Sequence, residues 1–205
     1  MADKDVAKVT HDGQANPAEK PASMSNQEFE DAAEAFRFGT ELFAKGQYEA
    51  AVEKWLPVAE SGHGEAQYHI GMCYYDGKGV QQDYEKAVEW LKKVNSISEG
   101  RAKLVLGDCY RYGRGVAKDI SLAMDYYADA YALGGWRFDN QPDGLEGKKI
   151  LEELAKQGVE GAKEKLKQAE QKRKENKKQL KKIKKEVAAR HRKAMRDGTG
   201  VFIEE

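Results

Sequence analysis

Apolar positions recur at helical spacing from Asn26 onward. Phe29, Ala32, Ala33, Phe36, Gly39, Thr40 and Phe43 share one face and predict a first helix that Gly46 ends. Ser25 stands where an N-cap is needed, with Glu28 three residues on to complete a capping box. Ala51, Val52, Trp55 and Val58 predict a second helix over about 48–60. Ala66, Ile70, Cys73 and Tyr74 predict a third over about 65–76, with Gly62 and Gly64 breaking the pattern between them. Gly71 lets two helices approach closely, where a larger side chain would block them. The segment Asp76-Gly77-Lys78-Gly79-Val80 reads as a glycine turn, because glycine adopts positive φ without a Cβ penalty. Val80 is placed to anchor that turn to the core, and Asp83 and Asp119 precede helices whose free N–H groups they can cap.

The pattern repeats. Residues 48–83 align with 84–119 without a gap and share 15 identities in 36 positions, among them Ala51/Ala87, Gly64/Gly100, Gly71/Gly107, Cys73/Cys109, Gly79/Gly115 and Asp83/Asp119. A fixed period in this range is the signature of a solenoid whose units bury their apolar faces against neighbours. The third unit begins in register with Ile120, Ala123, Tyr127 and Ala130 and then diverges through Gly134-Gly135-Trp136 to Gly144. Leu151, Leu154, Ala155, Gly158, Ala162 and Leu166 resume the pattern at an offset of 96 from Trp55, Val58, Ala59, Gly62, Ala66 and Ile70. The register is therefore broken, and a long irregular insert is expected at 134–146 in place of one helix.

Ala51 through Trp55, Ala59 through Gly62, Ala66, Ile70-Gly71, Tyr74, Gly77-Lys78-Gly79-Val80 and Asp83 resemble the Sel-one-like repeat family, a relative of the tetratricopeptide repeat with longer loops. The second copy matches at Ala87, Ala102, Leu106-Gly107, Tyr110, Gly113-Arg114-Gly115-Val116 and Asp119, and departs at Asn95 and Ser98, where the family prefers Ala and Gly. The resemblance covers about 27–162. It implies an all-α fold, a short right-handed solenoid of antiparallel helix pairs with the first helix of each pair lining a concave groove. It also implies a scaffold or adaptor in signalling, stress response, secretion or protein quality control; some bacterial members of the family are immunity proteins that neutralise a toxin.

From about Gly161 to Arg196 a single long helix is expected. Positions 166, 169, 173, 176, 180, 183, 187, 190 and 194 follow heptad spacing, but Arg173, Asn176 and Arg190 interrupt the seam, which argues against a strong coiled coil. Its first turns are expected to dock on the solenoid and the rest to project. The expected organisation is a disordered tail at 1–25, a repeat body at 26–162, a basic helix at 163–196 and a tail at 197–205 that begins with Asp197-Gly198.

Charge changes this picture. The chain carries 35 Lys/Arg and 35 Asp/Glu. Residues 163–196 hold 16 Lys/Arg and 4 Glu, a surplus of +12, so the rest of the chain carries −12. Asymmetry of this kind points to interaction. Glu53, Glu89 and Asp125 recur at 36-residue intervals. Stacked repeats would align them as a column, read either as a solvated face or as a site for a basic peptide lined by Glu49, Glu53, Glu85, Glu89, Asp125 and Tyr126. The arm, with Lys177, Lys178, Lys181, Lys182, Lys184 and Lys185, has three readings: a solvated helix, a nucleic-acid or ribosome contact, or a ligand of acidic protein, this chain's own groove included. It carries no aromatic residue for base stacking, and its apolar face is thin for membrane burial.

Catalytic motifs are largely missing. Gly77-Lys78-Gly79 recurs as Gly113-Arg114-Gly115 and so reads as a repeat turn, not as a phosphate loop. Asp197-Gly198-Thr199-Gly200 follows a helix and not a strand. Cys73 and Cys109 occupy one repeat position, about 10 Å apart by helix packing, beyond disulfide reach, and are expected to be buried free thiols. His11, His63, His69 and His191 make no ligand spacing with them. The expectation is a cytoplasmic protein with no catalysis, cofactor or metal and no membrane span. Its partner would be another protein, nucleic acid being the competing class.

Overall fold

The structure is a computed structural model that describes residues 26–96, 98–133 and 142–196. The tails expected at 1–25 and 197–205, the Ser25 cap and residues 134–141 of the insert lie outside these. Among the described residues the chain forms α1 Asn26–Ala44, α2 Tyr48–Glu60, α3 Gly64–Asp76, α4 Tyr84–Lys93, α5 Glu99–Tyr112, α6 Ile120–Leu133, α7 Pro142–Lys156 and α8 Ala162–Arg196. They stack as an all-α solenoid.

One contact recurs between successive pairs. A Cβ added to Gly71 on α3 would lie 2.9 Å from Leu91 on α4, and one on Gly107 in α5 would lie 2.5 Å from the Tyr127 ring on α6. Gly39 does the same from α1, with the Trp55 indole 2.6 Å from the Cβ position. Each large residue thus fills the volume that a side chain on the facing helix would take. Trp55, Leu91 and Tyr127 are fully buried. Their polar atoms are answered: Trp55 Nε1 donates to the Phe36 carbonyl at 3.1 Å, and the Tyr127 hydroxyl donates to Asp108 at 2.7 Å.

Caps set the helix ends. The side chains of Asp83 and Asp119 accept N–H bonds from Lys86 and Leu122 at 3.0 and 2.9 Å. His63 Nδ1 accepts from the Ala66 N–H at 3.2 Å. Gly77 and Gly113 close α3 and α5 in the left-handed conformation. Gly79 and Gly115 then press their backbone on the first residues of α2 and α4; a Cβ there would sit 2.4 and 2.3 Å from Tyr48 and Tyr84 carbonyl atoms. Val80 and Val116 pack under these turns on the core.

The second unit departs from the first where α4 stops early at Lys93. The carboxylate of Glu65, at the start of α3, reaches across to accept from the Ser96 hydroxyl at 2.6 Å, the Ser98 hydroxyl at 2.8 Å and the Ser98 N–H at 3.2 Å. Ser96 and Ser98, which follow the end of α4, are thereby tied to the preceding unit.

The expected insert is shorter than its sequence suggests. Residues 142–146 are helical, because α7 begins at Pro142. Proline is tolerated in a first turn, where its missing N–H would have no intrahelical partner. Gly147 seats α7 against α6; a Cβ there would be 2.5 Å from the Tyr127 carbonyl oxygen. Leu151 and Leu154 join Ala123, Met124, Tyr127 and Ala162 in the last core cluster.

Two outcomes follow from this packing. Gly107→Ala is expected to lower stability by about 1–3 kcal/mol, because the added methyl must displace the Tyr127 ring. Gly100→Ala, whose methyl would meet only the Ala130 carbonyl at 3.9 Å, should be neutral or slightly stabilising; denaturant midpoints would separate the two. His63 and His69 have pKa values held below 6.5 by burial, partly offset by Glu65. The folded state therefore binds fewer protons than the unfolded chain as the pH falls through about 6.5, and stability should decline there. His63→Asn, which keeps a capping acceptor without titrating, should flatten part of that decline in melts taken between pH 7.5 and 5.5.

Candidate partner-binding surfaces

Side chains on the first helix of each pair divide by register. On α2, Ala51, Val52, Trp55, Val58 and Ala59 are buried, so Glu49 and Glu53 face water. On α4, Ala87, Val88 and Leu91 are buried, and Glu85 and Glu89 are exposed. These four carboxylates lie at equivalent positions of adjacent units. The other two residues of the expected site are engaged. Asp125 on α6 is ion-paired with Lys165 of α8. Tyr126 is half-buried, stacked on Tyr110 with ring centroids 5.5 Å apart, and packs on the core cluster of the second unit.

The first half of α8 docks by a mixture of apolar and charged contacts. Ala162 and Ala169 are buried and Leu166 is half-buried. Asp129 on α6 receives Lys172 of α8 at 3.0 Å and Lys103 of α5 at 2.9 Å, so one carboxylate joins three helices. Burial works against both charges, yet the pairing prevails. Lys103 is held above the usual lysine range by Asp129 and Glu99, and Asp129 below the usual carboxylate range by Lys103 and Lys172. Arg173 donates to the Tyr131 carbonyl at 2.7 Å with its guanidinium 4.8 Å from the Tyr131 ring, and Asn176 donates to the Ala132 carbonyl at 3.2 Å. Those carbonyls belong to the last turn of α6, whose acceptors lack intrahelical partners and carry the negative end of the helix dipole.

Spacing could have pointed to Lys165 and Lys172, seven residues apart beside the heptad stripe. Glu99 lies four residues before Lys103, a local pair, but nothing local pointed to Asp129, 26 residues after Lys103, or to the bonds from Glu65 to Ser96 and Ser98, more than 30 residues away. The arm residues Lys177, Lys178, Lys181, Lys182, Lys184 and Lys185 lie beyond the docked half and are exposed. The basic residues of the two glycine turns bind within the fold: Lys78 pairs with Asp76 at 3.2 Å, and Arg114 donates to the Tyr75 hydroxyl. Among the described residues no cluster of three or more metal-ligating side chains occurs, and no helix is long and apolar enough to cross a membrane.

Residues 64–93 and 101–135 match the Sel1 repeat. A stretch of 69 residues is 38% identical to the "DAP3-binding cell death enhancer 1" of Rattus norvegicus, covering 33% of this chain and 14% of that protein. Another of 48 residues is 42% identical to the "Exopolysaccharide production negative regulator" of Rhizobium leguminosarum bv. viciae, covering 23% of this chain and 18% of that protein. The chain thus spans less than a fifth of the length of either curated relative. Among solved structures, a protective antigen present in uropathogenic Escherichia coli strains displaying an SLR fold superposes with a TM-score of 0.56 at 28% identity, over 77% of this chain and 34% of that one.

Both cysteines are free and buried. Burial pushes each thiol up to about 11, with Asp76 and Asp108 adding to the shift at Cys73 and Cys109 respectively. The thiolate is the reactive form, so a disulfide-exchange reagent at pH 8 is expected to leave both unmodified in native protein and to titrate two thiols after denaturation.

Proposed function

Since this chain is a Sel1-repeat protein, an all-α solenoid of the kind that generally serves protein interaction, we propose that it acts as a non-catalytic scaffold or adaptor. Its partner would be a basic segment of another protein, held on the exposed carboxylates Glu49, Glu53, Glu85 and Glu89. The observation that carries this reading is the Lys165–Asp125 ion pair. Asp125 is the third member of the Glu53, Glu89 column, and the group that answers it is a lysine on a basic helix. The two members on α2 and α4 are exposed to receive the same chemistry from outside. Like charges stacked in a row repel modestly, and a bound cation relieves that repulsion.

A regulatory or toxin-neutralising role in the cytoplasm is a finer version of this proposal. Support for it comes from the names of relatives and from the family resemblance. One curated relative is named as a negative regulator and another as a binding protein, and a scaffold without chemistry of its own suits both. Nucleic-acid or ribosome association through α8 is the competing reading, favoured by the exposed cations from Lys177 to Lys185.

Affinity capture followed by mass spectrometry tests the proposal on three chains. They are the natural one, a Glu53→Lys, Glu89→Lys variant, and a chain that stops at Asn176 and so keeps the docked half of α8. The charge reversal is expected to lower partner recovery at least about tenfold, or 1.4 kcal/mol, and the truncation to preserve it. Recovery that survives the reversal and vanishes with the truncation would sink the acidic-column reading.

A further inference from the structure

The stripe that α8 buries in its first half continues past Asn176, which lies opposite the last turn of α6, the last part of that side of the fold among the described residues. On one face of the helix, Leu166, Ala169, Arg173 and Asn176 are followed at heptad spacing by Leu180, Ile183 and Val187. Asn176 reaches the Ala132 carbonyl, and α6 ends one residue later at Leu133. Exposure then rises along the stripe. Leu180 is half-buried, whereas Ile183 is 43% and Val187 53% exposed. Eight Lys/Arg surround the stripe between Lys178 and Lys193, all of them exposed, with Glu186 the single acid among them.

We infer that this projecting half of α8 docks an acidic amphipathic helix of a partner protein. Such a helix would lie along Leu180, Ile183 and Val187 as α6 lies along the preceding turns. The chain itself supplies the precedent. Ala162 is buried in one cluster with Ala123, Met124 and Tyr127 of α6, and two acids of α6, Asp125 and Asp129, meet Lys165 and Lys172. A partner helix with the same layout would extend that interface by charge complementarity and a shared apolar seam.

Three other occupants fit less well. A second α8 would set one row of cations against another. The acidic helices α2 and α4 of a second copy have their apolar faces already buried, at Val52 and Trp55 and at Val88 and Leu91, so they offer carboxylates without a stripe. A polyphosphate chain such as duplex nucleic acid would engage the cations and leave Ile183 and Val187 in water. This inference does not depend on the acidic column.

The test uses the full chain and three probes in fluorescence titrations. The first is a synthetic peptide of three heptads with Leu at a and d and Glu on the flanks. The second has the same composition with the leucines scattered, and the third is a DNA duplex of about twenty base pairs. The patterned peptide is expected to bind about tenfold or more tightly than the scattered one and to weaken as salt rises. Ile183→Gln, Val187→Gln, which keeps charge and helix, should remove that preference without changing the melt. Equal binding of the two peptides overturns the inference, as does a preference that survives the Gln substitutions. A duplex that binds more tightly than the patterned peptide, and equally to both chains, marks a bare polycation site and also overturns it. A chain dimer that the Gln substitutions dissolve assigns the stripe to a second copy and overturns it too.

Discussion

The stack depends on a glycine facing a large side chain at each step from one pair to the next. Gly39 against Trp55, Gly71 against Leu91 and Gly107 against Tyr127 are the same contact made three times. Interiors pack at crystal-like density, so a single Cβ at such a position has nowhere to go. The contact sets the separation of helices, and the separation sets where every exposed residue lands. The carboxylates of α2 and α4 fall at equivalent places because Trp55 and Leu91 are seated in equivalent pockets.

The same contact explains how the solenoid ends. At the offset of 96 that relates Ile70 to Leu166, the position of Gly71 is held by Lys167, which is exposed. No further helix can seat there as α4 seats on α3. The last unit instead closes with helix on helix: α7 reaches α6 through Gly147, and α8 covers the remainder with Ala162, Leu166 and Ala169. Terminal repeats of stacked proteins need a polar outer face, and a lysine-rich α8 provides one.

How much of this was legible depends on how far apart the interacting residues stand. The repeat, the glycine turns and the Asp83 and Asp119 caps were readable, since each is a local pattern that occurs twice. The role of α1 was harder to see. Gly39 precedes Trp55 by 16 residues, whereas Gly71 and Gly107 precede Leu91 and Tyr127 by 20. The difference of four is the difference between the three-residue link 45–47 and the seven-residue links 77–83 and 113–119. A shorter turn displaced the register while leaving the packing unchanged. The Glu65 to Ser96 and Ser98 bridge and the Lys103, Asp129, Lys172 cluster were invisible for another reason. Their members come from different helices, and no periodicity marks a polar contact made only in three dimensions. The start of α7 was hidden by Pro142 and two glycines, residues that punctuate loops more often than they open helices.

Net neutrality is the sum of two unlike uses of charge. At Asp129 the charges are partly withdrawn from water, and removing one partner would leave the others paired less well than removing the whole set. Lys103, Asp129 and Lys172 therefore act as a fastener, whose contribution lies in fixing where α8 sits. Glu53 and Glu89 carry no such penalty, because they are solvated and screened. Among the described residues no hydrogen bond or ion pair uses either carboxylate. The polar contacts that fasten α8 among the described residues use Lys165, Glu170, Lys172, Arg173 and Asn176, all in its first half. The cations from Lys178 onward have no part in those contacts, yet they keep the amphipathic layout of the docked half. A helix that had only to be soluble would need neither Ile183 and Val187 nor so one-sided a charge. Their persistence past the end of α6 is the ground on which a partner helix is proposed for this half of α8.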